Sequence, residues 1–396
     1  MKSIVTLFTA LALAASPIGT AGAAAQDPQS RSASGKAKAK VKAKAKPGKA
    51  SSRERVAAKS RRVVKTAPAA AAIDYDGEHS NFLEWQAMRE FIEEMVSKHH
   101  FERAELESLF GQARFIDSAV QLVKPMPRGK PKNWQVYSSR FIEPIRIKAG
   151  VRFWEDNAAT LARAEAAYGV PAEIIVGIIG VETIYGRDTG KFRVIDTLAT
   201  LAFGYPETPN RAKRMAFFRD ELANTLLLAR EHHIEPFSLL GSFAGAIGMP
   251  QFMPGSILKF AVDFNGDGQI DLRNSTDDAI GSVANFLVQH GWNPAYRDAP
   301  AWPAEVAPHR AWEPLLERGL AATLRLEELR AAGVQVNGGV PAERLYGLID
   351  LQNGTRPTEY WVANDNFFAI TKYNRSYFYA MSVIDLGKAV SRARAR

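Results

Sequence analysis

Apolar residues recur at helical spacing from Asn81 onward: Trp85, Met88, Phe91, Ile92 and Met95 stand three or four apart with charges between them, which predicts an amphipathic helix with that stripe inward. A second, short helix is predicted over 104–113, and the proline-rich stretch from Pro125 to Pro131 closes this unit. The span 141–168 reads as a further helix, with Ile145, Ile147, Val151, Phe153, Trp154, Leu161 and Ala164 buried and Gly169 as its stop. Pro171 suits the first position of the next helix, whose stripe runs Ile175, Ile178, Ile179 and then Glu182 before Gly186 and Gly190 stop it. A long helix is predicted over 211–230, with Met215, Phe218, Leu222, Leu226 and Ala229 on one face. After it come a segment punctuated by Gly and Pro (241–255), an acidic glycine loop, and a helix over 277–290. In the last third, 324–332 is predicted helical, whereas 345–351 and 360–371 carry the β-branched and aromatic content of short strands. The pattern is that of a mainly α (α+β) fold with a minor β-element.

The first 80 residues change this picture. Met1 and Lys2 precede a short apolar run, residues 4–15, then Pro17 and the small residues Ala21, Gly22, Ala23, Ala24 and Ala25, a layout that predicts a signal peptide over 1–25. The run is shorter than the roughly 18 residues a membrane span needs. Export to the periplasm in soluble form is therefore expected. There is no cysteine, which excludes disulfides, thiolate chemistry and a lipid-bearing cysteine after the signal. The formal charge of +9 is concentrated in one place, because 36–65 holds 13 Lys or Arg against one Glu, leaving residues 66–396 mildly acidic. That Lys-Ala and Ser-rich run has no apolar periodicity, so 26–80 is expected to be a disordered basic linker. Such a run attracts polyanions; given export, anionic envelope polymers are the expected partners and specific nucleic acid is not, with a plain solvated spacer as the alternative.

Glu182 lies in line with a buried stripe, although removing a carboxylate from water is costly unless it is paired or protonated. Burial and a helix C-terminus would both raise its pKa, which suits a proton donor to a glycosidic oxygen. The alternative is a stripe-edge residue, solvated or paired with Arg187 or Arg193. Glycosidases normally use two carboxylates. Asp196, before Thr197, Leu198 and Ala199, reads better as a helix N-cap, and Asp188 sits in a glycine-bounded turn, so neither is a persuasive partner. The stretch 263–271 matches the first nine positions of an EF-hand loop: Asp263, Asn265 and Asp267 at 1, 3 and 5, Gly268 at 6 for the sharp turn, Gln269 at 7, where the loop takes a backbone carbonyl, and Ile270 at 8. Asn274 replaces the glutamate at position 12, so Asp277 or Asp278 would have to close a structural Ca2+ site. An acidic turn without metal is the alternative.

Four stretches together resemble the membrane-bound lytic transglycosylase B family, including its soluble forms: 176–183 around Glu182, 241–254 with Ser242 and Gln251, the acidic loop followed by 279–285, and Thr371-Lys372-Tyr373-Asn374. The resemblance covers roughly 82–390. It implies a goose-lysozyme-like helical core (81–300) with the EF-hand-like loop at 263–278, a flanking helical domain, and a small β-containing part (301–396) that returns to the cleft. It implies peptidoglycan glycan strands as substrate, cut between N-acetylmuramic acid and N-acetylglucosamine to 1,6-anhydro ends, with Glu182 as sole acid/base. It also places Tyr137, Ser242, Gln251, Tyr373, Asn374 and Tyr379 at the sugar. Adjacent arginines expected after Tyr205-Pro206 are replaced by Glu207-Thr208-Pro209-Asn210-Arg211, leaving Arg211 or Arg214 for any peptide-stem contact. A lysozyme-type hydrolase and a calcium-dependent glycan-binding scaffold without turnover are the competing functions.

Overall fold

The computed structural model describes residues 81–125 and 131–396. The signal-like segment 1–25, the basic segment 26–80 and residues 126–130 of the proline-rich stretch lie outside the described residues. Asn81 opens the helical part by accepting from Leu83 N at a 3-10 turn, Phe82–Glu84, and α1 (Gln86–His99) follows with Met88, Phe91, Ile92 and Met95 buried. α2 (Arg103–Gln112), α3 (Asp117–Leu122) and α4 (Trp134–Ser138) are short.

The predicted helix over 141–168 is two helices, α5 (Pro144–Asp156) and α6 (Ala158–Tyr168). Asn157 breaks them, because its side-chain amide donates to the Phe153 carbonyl at 2.8 Å and offers the backbone an alternative to the helical ladder. Within α5, Ile145 is 49% exposed rather than buried, and its neighbour Arg146 turns inward instead, 4% exposed. Gly169 ends α6 at φ 65°, as its lack of a Cβ predicts.

In α7 (Ala172–Thr183) every residue is buried except Glu173 and Glu182. A helix apolar all round must be a central element, and this one is. It does not end at a glycine: Ile184 (φ 52°) and Tyr185 (φ 59°) both take the left-handed conformation, which costs non-glycine residues about 1 kcal/mol or more each. β1 (Phe192–Arg193) pairs antiparallel with β2 (Leu240–Gly241) across α8 (Val194–Gly204) and α9 (Arg211–Glu231). Arg193 is the N-cap of α8, so Asp196 lies inside the first turn, where its buried carboxylate accepts from Arg114 N and Arg193 Nε; the N-cap expectation for Asp196 is corrected. α10 (Pro254–Phe260) and α11 (Thr276–Gln289) flank the acidic loop.

The C-terminal region supplies β3 (Ala301–Val306), β4 (Leu324–Arg325), α12 (Leu326–Ala331), β5 (Val334–Val336), β6 (Leu345–Asn353) and β7 (Arg356–Ala363). The five strands form one antiparallel sheet in the order β4-β6-β7-β3-β5, with Gly347 opposite Ala363 and Ile349 opposite Trp361 in its central pair. Its edge strands are very short, which limits edge-to-edge association. The predicted strand over 360–371 stops at Ala363, because Asn364 caps a helix by accepting from Asn366 N, and the aromatic residues Phe367 and Phe368 belong to α13 (Asp365–Ile370). The last helix, α14 (Tyr377–Arg394), lies against α7. Glycine permits that closeness: a Cβ on Gly177 would stand 2.3 Å from the Val383 carbonyl oxygen, and one on Gly387 2.1 Å from that of Glu173. Among the described residues no single helix is long and apolar enough to cross a membrane.

Candidate active site

Glu182 stands at the last turn of α7. The residue is half-buried, and protein surrounds its carboxyl closely. Burial pushes its pKa up to about 7, opposed by the hydrogen bond from Tyr379 and the positive charge of Arg146. The Tyr379 hydroxyl, carried by the first turn of α14, donates to Glu182 Oε1 at 2.5 Å. Neither arginine considered from sequence neutralises Glu182: Arg193 engages Asp196 at 2.6 Å, and Arg187 is exposed. Asp188 sits in the following turn, its amide bonded to the Thr183 carbonyl, and its pKa is raised by partial burial.

Aromatic rings gather around Glu182. Tyr373 stacks on Tyr379 with centroids 6.3 Å apart, and packs against Phe252 and Phe286 from behind. The residue is half-buried while its hydroxyl is fully buried, and that hydroxyl and Asn374 Oδ1 have no hydrogen-bond partner among the described residues. Tyr137 packs on Phe141 and Phe378, and its pKa is pushed up to about 12 by burial and then by the charge of Glu182, which brings it into the same field. The hairpin of the sheet holds α4, and hence Tyr137, in place: Asn353 Oδ1 accepts from Gln135 N, and Gly354 N donates to the Lys132 carbonyl. Gln251, at φ 53°, spends its side-chain amide on the carbonyls of Thr189 and Gly248. Ser242 Oγ accepts from Ala244 N and Ala246 N inside its own turn, and its O–H proton has no acceptor among the described residues.

The acidic loop folds on itself through its own oxygens. Asp263 accepts from the amides of Gly266, Asp267 and Gly268, Asn265 from Asp267 N, and Asp267 from Gln269 N. Asn274 is drawn to Asp271. The two candidates for closing the loop behave differently. Asp278, 1% exposed, spends both oxygens on the amides of Phe264, Asn265 and Asp271. Asp277 gives Oδ1 to Thr160 and Arg163 and keeps Oδ2 free of hydrogen bonds among the described residues. Phe264 docks the loop, facing Arg163 on one side and Gly281 on the other, where a Cβ would come within 2.4 Å of its ring.

Residues 84–388 match the family model described as the transglycosylase SLT domain. The chain is 42% identical over 317 residues to membrane-bound lytic murein transglycosylase B of Escherichia coli, covering 78% of this chain and 83% of that protein. The chain belongs to the lytic transglycosylase B family. Among solved structures, soluble lytic transglycosylase SltB1 from Pseudomonas aeruginosa is similar with a TM-score of 0.71 at 44% identity, over 78% of this chain and all 100% of that one. The Escherichia coli lytic transglycosylase Slt35 in complex with calcium is similar with a TM-score of 0.71 at 41% identity, over 80% of this chain and 96% of that one. This transglycosylase is thus an enzyme that acts on peptidoglycan.

Three contributors to the geometry around Glu182 carry no sequence signal of their own. Thr183 donates to the Met249 carbonyl at 2.8 Å and accepts from Gly186 N, latching the end of α7 to the loop that bears Gln251. Tyr185 passes its ring into the slot left by Gly150 and Gly180, where any Cβ would meet its hydroxyl at 2.4 Å. Arg146 lies behind Glu182 and reaches the Val181 carbonyl at 3.4 Å. The two helix glycines are the only trace the sequence offers, since paired glycines in helix interiors signal close approach. Arg211, considered for peptide contact, bonds the Tyr205 carbonyl and pairs with Glu207, while burial lowers the pKa of Arg214.

Proposed function

We propose that Glu182 is the single acid/base of a non-hydrolytic cleavage of the β-1,4 bond between N-acetylmuramic acid and N-acetylglucosamine. Its carboxyl proton passes to the bridging oxygen as the C1–O4 bond breaks, with the 2-acetamido oxygen stabilising the oxocarbenium-like state. The resulting carboxylate takes the proton of the muramoyl C6 hydroxyl, whose oxygen closes on C1 as a 1,6-anhydro ring. No water is consumed, and the acid is regenerated. The observation that carries this reading is a carboxyl whose proton affinity, near neutrality, is set by burial, one tyrosine and one arginine, with no neighbouring carboxylate among the causes. An acid poised near the working pH serves both proton transfers.

Tyr379 orients the carboxyl, and the half-buried rings of Tyr373 and Tyr137 offer apolar surface to a pyranose. Ser242, Gln251 and Asn374 supply polar contacts. The goose-lysozyme-like reading of the helical core rests on the same resemblance. Digestion of sacculi followed by mass analysis of the muropeptides tests the chemistry: anhydro ends, lighter by one water than hydrolysed ends, are expected. Replacing Glu182 with Gln is expected to abolish them while binding to sacculi persists. Free reducing ends would favour the hydrolase, and undiminished lysis by the variant would remove Glu182 from its role.

The loop fits calcium by donor chemistry, since the side chains at positions 1, 3 and 5 each carry a hard oxygen and Gly266 and Gly268 take the positive φ that its turns require. We assign Asp263, Asn265, Asp267 and the Gln269 carbonyl as ligands, with Asp277 closing through its unengaged Oδ2 and Asp278 holding the loop amides. Bound calcium would neutralise the loop's carboxylates and pin it to α11; it takes no part in the cleavage. We place the enzyme in the cell envelope, and the basic run 36–65 as a tether to anionic envelope polymers. Deleting that run and comparing retention on sacculi and on DNA tests the tether.

A further inference from the structure

A guanidinium is an expensive group to bury, and Arg146 is 4% exposed with no ion-pair partner among the described residues. Its Nε is enclosed and has no hydrogen-bond partner among the described residues. Its contacts are the Val181 carbonyl, 3.4 Å from Nη1, and the face of Phe141, 5.2 Å from the guanidinium carbon. The nearest carboxylate in sequence, Glu143, is occupied as the N-cap of α5 by the amides of Ile145 and Arg146. Val181 immediately precedes Glu182 at the C-terminal end of α7, where the helix carries partial negative charge that opposes an ionised carboxylate. A fixed cation at this spot offsets that charge.

We propose that Arg146 is a positioning residue for the acid/base cycle: from behind the end of α7 it stabilises the ionised form of Glu182 that exists between the two proton transfers. The inference rests on the reading of Glu182 as acid/base. The other groups around Glu182 do not duplicate this function. Tyr379 from α14, Tyr373 from the segment before it and Tyr137 from α4 are neutral, as is Tyr185 beyond α7. Asp188 is an acid with Lys191 beside it, Glu143 is tied to backbone, and Glu165 and Glu173 lie at the far end of α7. Arg146 is the cation that lowers the proton affinity of Glu182.

The test is the pH profile of kcat/KM on purified sacculi for the full chain and for Arg146→Gln, Arg146→Met and Arg146→Lys, each checked by thermal melting. The wild-type profile should fall on its basic side near neutrality as Glu182 ionises; absence of that limb would count against the Glu182 reading itself. In the two neutral variants the limb should move to higher pH by about one unit, with a plateau about tenfold lower, since one unit is tenfold in proton affinity. Arg146→Gln keeps a donor for the Val181 carbonyl and removes the charge, so it separates the tether from the electrostatics. The lysine variant should hold the limb close to its wild-type position. A well-folded neutral variant whose limb is unmoved overturns the proposal, whatever its plateau. Should both neutral variants fail to fold, the lysine variant decides: a limb displaced by about a full unit overturns the proposal, and a retained limb supports it.

Discussion

Glu182 is held in a state that favours its proton. Its folded pKa of about 7 stands above the ordinary carboxyl range because burial outweighs both Tyr379 and Arg146. A raised folded pKa means that the folded chain binds the proton more tightly than the unfolded one. The stabilisation is therefore complete at acid pH and is lost as pH rises toward and through 7. Glu182→Gln, which cannot ionise, should match wild type in thermal melts near pH 4 and exceed it increasingly above pH 7, toward a limit of about 3–4 kcal/mol. A difference that does not vary with pH would mean the carboxyl is ordinary. Much of this residue was legible in advance: a glutamate on a stripe of isoleucines asks for an explanation by its position alone. Arg146 was not legible, because an arginine beside Ile145 in an amphipathic pattern reads as the solvated face, and here the two exchange places. Tyr379 and Tyr373 entered only through family resemblance, since a tyrosine near the chain's end has no spacing relation to a glutamate so far upstream.

At the level of elements, helices were legible where the apolar period was unbroken, as in α1, α9 and α11. The misreadings have local causes. Asn157 splits one predicted helix through a side-chain hydrogen bond, and Asn364 converts an aromatic-rich stretch from strand to helix through a cap. Neither asparagine alters the hydrophobic pattern, so periodicity alone passes over both. The contact of α7 with α14 is set by backbone proximity. Gly177→Ala would drive a Cβ to 2.3 Å from the Val383 carbonyl oxygen, a main-chain atom that cannot swing aside. We expect a loss of about 1–3 kcal/mol in denaturant unfolding. Activity per folded molecule should fall as well, because the same contact aligns Glu182 with Tyr379; Gly111→Ala, where the nearest atom is a leucine methyl at 3.5 Å, is the control.

Across the whole molecule, the acidic loop joins α6 and α11 through Phe264, Arg163 and Asp277. If calcium binds only the folded chain, saturation at about 100 times its Kd adds about 2.7 kcal/mol, read as a rise in Tm over the chelator-treated protein. Asp263→Ala and Asp277→Asn should abolish that rise. Asp278→Ala should instead lower Tm with and without calcium, since it strips the amides of Phe264, Asn265 and Asp271 of their acceptor. Equal melting with calcium and chelator would remove the metal from the account.

The hydroxyl that touches Glu182 comes from 197 positions later in the chain. Synthesis delivers the acid before the sheet and its companion only after β3 to β7 have been made. A polypeptide halted or clipped within the sheet keeps the glutamate yet lacks the group that steers it. Under the proposed chemistry, bond-breaking competence therefore requires that α14 has been made and has docked on α7.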